Sequence, residues 1–130
     1  MAVDLAKVAR DKELKYFLIS FVDLFGVLRA KLVPARAIGD MQKDGAGFAG
    51  FAAWLDMTPA DPDMFAMPDA NSLMILPWNR EVGWLASELW MDGKPVEASP
   101  RTILRRQLEA ATKSGYRMKT GVECEYFIIN

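Results

Sequence analysis

Two strand-forming runs joined by four turn residues, KYFLISFV, DLFG and VLRAKLV over residues 15–33, constrain the fold of this chain more than any other feature. β-Branched and aromatic side chains favour extended backbone, and Gly26 marks the turn between the runs. In the second run Leu28, Ala30 and Leu32 alternate with Arg29 and Lys31, the period of a strand with one dry and one wet face. The spacing predicts an antiparallel β-hairpin, and every other element has to pack around it.

The remaining elements are predicted to alternate with strands rather than repeat as βαβ units. Leu5 and Val8, with alanines between them and charges opposite, predict a short opening helix capped by Asp4. Pro34 opens a helix-like segment that stops near Gly45. Residues 45–72 mix Gly, Pro and Asp with aromatics and show no sustained period, which predicts a long functional loop. SLMILPW and VGWLASELWM predict two further strands, with DGKP as the turn after the second. Ser99 and Pro100 begin the clearest helix, with Ile103, Leu104, Leu108 and Ala111 on one face and Gly115 as its stop. The last segment, YRMKTGVECEYFII, predicts a buried strand that lacks neighbours in this sequence, as at the beginning of a further unit. Hairpins interspersed with helices point to an α+β fold with helices on one face of the sheet.

Composition narrows the chemistry. A chain of 130 residues, 52% hydrophobic, suffices for a core. Its formal net charge of −1 offers no electrostatic footprint for nucleic acid. It contains no histidine, so it supplies neither a Ser-His-Asp triad nor a histidine-bound zinc site. The single cysteine, Cys124, is expected to be a packed thiol in a reducing compartment. No secretory signal or membrane span is expected, and the cytoplasm is the expected location.

Several motifs have competing readings. GAGFAG, residues 45–50, spells the dinucleotide pattern G-x-G-x-x-G, but a helix precedes it and an irregular stretch follows, the reverse of the required strand-then-helix context. Asp61, Asp63 and Asp69 lack the spacing of a calcium loop and read as turn residues. Trp54, Trp78, Trp84 and Trp90 read mainly as core, with Trp54 a candidate interface contact. Glu123 and Glu125 share one side of the predicted last strand. They are either a solvent-facing pair or hard oxygen ligands for Mg2+ or Mn2+ that need partners from elsewhere.

Five ordered motifs together resemble glutamine synthetase: VDLFGVLRAKLVP, GAGFAGFAAW, MPDANSLMILPW, SPRTILRRQ and GVECEYFII. The wording between residues 31 and 56 is similar to the divergent bacterial branch that includes γ-glutamylmethylamide-synthetase-like enzymes. This resemblance implies a β-grasp-like N-terminal domain over residues 1–96 and the start of an incomplete catalytic domain over residues 97–130, comprising a helix and a first strand. It implies an ATP-dependent glutamate–amine ligase that works through γ-glutamyl phosphate and requires Mg2+ or Mn2+.

Carried onto this sequence, the resemblance assigns Glu123 to the ion that holds the ATP phosphates and Glu125 to the ion beside glutamate and the amine. It places Phe48, Ala49, Gly50, Phe51 and Trp54 in a substrate loop that reaches the amine site of a neighbouring subunit in a homo-oligomeric ring. Where the family has aspartate in this loop, Ala49 stands beside Phe51, which favours an alkylamine such as methylamine as acceptor, with ammonium the alternative. Cys124 replaces the usual proline and is expected to face away from the metals. The chain alone is expected to be inactive; the competing expectation is a stand-alone regulatory or assembly module.

Overall fold

A computed structural model describes residues 3–53 and 56–130. The fold is mixed α+β, with a curled sheet and three helices. Helix α1 spans Leu5–Asp11, and the Asp4 side chain accepts the Lys7 N–H at its N-terminus, as the sequence predicts. Strands β1 (Tyr16–Val22) and β2 (Leu28–Pro34) form the predicted antiparallel hairpin, in register from Tyr16↔Pro34 to Val22↔Leu28. A 3-10 turn over Ala35–Ala37 leads into α2 (Ile38–Asp44), which ends at Gly45.

The stretch predicted to be a loop is more ordered than its composition suggests. It contains β3 (Ala46–Phe48), a 3-10 turn at Gly50–Ala53, β4 (Met64–Pro68) and a 3-10 turn at Ala70–Ser72. Strands β5 (Met74–Leu76), β6 (Asn79–Met91) and β7 (Lys94–Pro95) follow, then α3 (Pro100–Lys113). The main strand order is β2-β1-β6-β4-β3, with β5 and β7 also paired to β6.

Long β6 organises this sheet. Its first half pairs parallel with β1, and its second half pairs antiparallel with β4, so a single strand joins two segments of a curling sheet. Phe17, Ile19 and Phe21 of β1, Met64 and Ala66 of β4, and Leu85 and Leu89 of β6 share the buried face. Leu5, Ala9 and Leu14 from the α1 region and Ile38 of α2 complete that core. Gly83 lies opposite Phe17 in the β1–β6 register, and a Cβ there would come within 2.9 Å of the Phe17 ring. The absence of a side chain at Gly83 lets that ring lie against the central strand.

The helices of the first unit lie on one face of the sheet, and the helix that follows that unit lies elsewhere. α1 and α2 cover the core face, whereas α3 is tied to the other side. Arg105 of α3 pairs at 2.6 Å with Glu88, which alternates with Leu85 and Leu89 along β6, and Arg101 pairs at 2.7 Å with Asp69. A recess between α3 and the sheet is lined by Val22, Leu28, Trp84, Ala86 and Leu104. Both sheet faces are apolar in this part of the molecule, so local alternation alone did not tell the helix which face to cover.

The predicted last strand needs correction. Residues 116–130 form no paired strand, and all of them are exposed. Strand formation depends on ladder hydrogen bonds, and no described segment pairs with this one. Cys124 is consequently an exposed free thiol rather than a packed one. No helix among the described residues is long and apolar enough to cross a membrane.

Candidate functional site

The tip of the first hairpin is locked by a carboxylate. Asp23 is 1% exposed, and its Oδ1 accepts the N–H groups of Phe25 and Val27 at 2.9 Å each. Its Oδ2 accepts Arg29 Nε at 2.8 Å. Gly26 takes the left-handed φ of +80° that lets the chain reverse inside this ring of bonds. Burial pushes the Asp23 carboxyl up, but the Val27 N–H, the Arg29 guanidinium and the Phe25 N–H together outweigh it and hold the carboxyl below the usual carboxylate range.

This depression has a consequence for stability. An unfolded aspartate titrates near about 3.9, so the stabilisation from Asp23 is complete above that value and is lost as pH falls through the lower folded value. The expected result is a urea midpoint that drops on acidification below about pH 4, with a smaller drop in Asp23→Asn. Equal drops in the two proteins would show that Asp23 does not carry this pH dependence.

The substrate loop predicted from sequence faces the hairpin tip. It starts at Gly45, whose φ of +82° and close approach to Met67 Sδ and Phe65 Cβ, 2.7 and 2.9 Å from an added Cβ, demand glycine. The GAGFAG stretch therefore begins at a helix end and enters a strand, the reverse of the strand-then-helix order that a dinucleotide site needs. Phe48 turns inward: its ring meets Phe21 edge-on at 4.9 Å and lies under Lys31 Nζ, also 4.9 Å from its centroid. Lys31 Nζ also donates to the Gly47 carbonyl, tying β2 to β3. Gly50 is buried against the Met57 side chain, which occupies the space a Cβ would need.

Phe51, by contrast, is 47% exposed. With Phe25, Arg29, Ala52, Asp56 and Met57 it lines an open recess of about 650 Å3 between the loop and the hairpin tip. Of the five loop residues singled out in the sequence, Phe48 and Gly50 thus support the loop, Ala49 is half-buried and accepts the Ala52 N–H at 3.0 Å, and Phe51 faces the recess. Trp54 lies outside the described residues. Sequence reading missed Phe25, Arg29, Asp56 and Met57. The only available signal was the polar-aromatic turn DLFG, because the recess joins positions about thirty residues apart.

The other acidic candidates separate. Asp61 accepts the Thr58 N–H and hydroxyl in a turn, and these bonds hold its carboxyl below the usual range. Asp69 accepts the Asn71 N–H and pairs with Arg101, so it is a structural residue. Among the tryptophans, Trp84 and Trp90 are half-buried on β6, and Trp78 is 80% exposed. Glu123 and Glu125 lie exposed in the terminal segment. Their oxygens are chemically suited to a hard divalent ion, but no third Asp, Glu, His or Cys forms a metal-holding group with them among the described residues. This chain supplies at most part of such a site.

No family model matches the chain. It is 62% identical over all 130 residues to a glutamine synthetase of Rhizobium leguminosarum bv. phaseoli and spans 30% of that protein's length. It is 39% identical over 122 residues to a glutamate–methylamine ligase of Methyloversatilis universalis, covering 92% of this chain and 28% of the relative. A solved structure of GmaS without ligand matches 85% of this chain and 26% of its own, with 58% identity and a TM-score of 0.83. The chain spans less than a third of the length of each of these proteins.

Proposed function

Because the chain belongs along its whole length to the glutamine synthetase family, we propose that it is the first part of an ATP-dependent ligase that joins the γ-carboxylate of glutamate to an amine. The observation that carries this reading is the alignment of nearly the whole chain with both glutamine synthetases and a glutamate–methylamine ligase. In this reading residues 1–96 form a β-grasp domain, supported by parallel β1 and β6 at the centre of the sheet. Residues 97–130 begin the catalytic domain.

The reaction transfers the γ-phosphoryl group of ATP to glutamate. The amine nitrogen then attacks the activated acyl carbon, a C–N bond forms and phosphate leaves. Glu123 and Glu125 would be ligands to Mg2+ or Mn2+, and a bound divalent ion supplies charge neutralisation at the phosphates. The exposed side chains of Val122, Phe127 and Ile129 would be covered once the strand has its neighbours, since burial of such apolar surface is favourable. The loop around Phe51 would complete the amine site of an adjacent subunit in a homo-oligomer, in the cytoplasm. The isolated chain lacks the remaining ligands and would not catalyse ligation.

The acceptor in this reading is an alkylamine. Ala49 adds no charge beside Phe51, and Phe51 offers apolar surface to an alkyl group. The test is product analysis by mass spectrometry for the full-length protein supplied with ATP, glutamate and either ammonium or methylamine. The expected product is the γ-glutamyl amide, with methylamine used at least as well as ammonium. A strong preference for ammonium would remove the alkylamine assignment, and absence of both products would remove the ligase assignment.

A further inference from the structure

We propose that the recess between α3 and the sheet binds a small apolar monocarboxylate, held by Arg101 and the Ser20 hydroxyl. This site is separate from the substrate loop, and it does not depend on the ligase reading. The recess measures about 320 Å3, within the range of small-molecule sites. Val22 and Leu28 of the hairpin, Trp84 of β6 and Leu104 of α3 give it apolar walls.

Two polar groups interrupt those walls. Arg101, in the first turn of α3, is the one charged residue lining the recess among the described residues. A terminal nitrogen of its guanidinium donates at 2.7 Å to Asp69, which lies outside the lining. Its Nε–H is buried and has no hydrogen-bond partner among the described residues. A buried donor without an acceptor is costly, so a folded protein that keeps one calls for a partner to it. Ser20 is 0% exposed and alternates along β1 with the core residues Ile19 and Phe21, which turns it toward the α3 side of the sheet. Its Oγ reaches the Leu18 carbonyl only at 3.5 Å, the outer limit of a hydrogen bond.

These groups define what fits. A carboxylate can accept from both, and its bond to a guanidinium is charge-assisted and stronger than a neutral one. Asp69 already takes part of the Arg101 charge, so a single carboxylate is matched and a dianion is not. The walls favour a hydrocarbon body attached to that carboxylate. A free amino acid fits poorly, because the lining holds no carboxylate for its ammonium group, which apolar walls would strip of water.

The experiment is a ligand-observed NMR titration of the full-length protein with benzoate, at saturating glutamate, ADP and Mg2+ so that any site for glutamate is already filled. Saturable binding with a Kd of about 1 mM or tighter is expected. Benzamide, nearly the same shape without the charge, should bind at least about fivefold more weakly. Leu104→Trp fills the recess from a side chain that is 50% exposed, and should weaken benzoate at least about tenfold. Arg101→Lys keeps a cation for Asp69 but removes the Nε–H, and should also weaken benzoate about tenfold. No saturable binding, benzamide matching benzoate, or a benzoate Kd that either variant leaves within about twofold would overturn the assignment.

Discussion

Truncating Phe17 to alanine is expected to cost about 3–5 kcal/mol of unfolding free energy. Phe17 has no exposed surface and lies on central β1, between the hairpin partner Val33 and the parallel partner Gly83. The ring fills the space that the glycine leaves open, so its removal loses the transfer free energy of the side chain and opens a void beside β6. Neighbouring Ile19 and Leu85 belong to paired strands and cannot collapse inward without breaking ladder bonds. Urea unfolding measures the loss. Trp78→Ala, at a side chain 80% exposed, should change stability by less than about 0.5 kcal/mol. A Phe17→Ala cost no larger than that control would contradict the central packing.

That core was legible in the sequence because its signals are local. The strand-forming runs KYFLISFV and VLRAKLV set the hairpin, Asp4 set the first helix start, and Pro100 set the last, but the dry face read from Leu28, Ala30 and Leu32 was wrong: those three are exposed and Val33 is the buried residue of β2. β3 and β4 were not legible. They are three and five residues long, and their extended state is imposed by long-range pairing, Phe48↔Met64 within the loop and Phe65↔Trp90 to β6. The placement of α3 was hidden for a related reason. Its apolar residues Ile103, Leu104 and Leu108 could be read, but they stay exposed in this chain, and the helix is held to the sheet by Arg101–Asp69 and Arg105–Glu88, ion pairs that no local pattern announces.

The candidate site divides the same way. Phe51 was visible through the motif that contains it, whereas Asp56 joins Phe25 and Arg29 only when the loop folds against the hairpin tip. The GAGFAG stretch shows the converse, a pattern of letters whose glycines serve a helix end at Gly45 and a close contact with Met57 at Gly50. The terminal segment was read as a strand from correct alternation, yet alternation without a partner gives no ladder.

Replacing either Glu123 or Glu125 by alanine in the full-length protein is expected to lower kcat by roughly a thousandfold or more, the kinetic equivalent of several kcal/mol of lost transition-state stabilisation. Glu123→Ala would remove a hard oxygen ligand from the ion at the ATP phosphates and Glu125→Ala one from the ion beside glutamate and the amine, and the other glutamate cannot replace it from the next position along the same side of a strand. In the 130-residue chain itself the same substitutions should change stability little, because there both side chains are exposed and make no hydrogen bond or ion pair among the described residues. Kinetics at saturating Mg2+ and Mn2+, with urea unfolding alongside, separate the two effects. Activity within about tenfold of the unmodified enzyme would rule out direct metal ligation.

The most direct measurement is an anomalous difference map from crystals of the full-length protein grown with Mn2+ and ADP. The account predicts manganese peaks in direct contact with the carboxylates of Glu123 and Glu125, and a paired strand over residues 122–129. Manganese bound elsewhere, with neither carboxylate in its coordination shell, would contradict it.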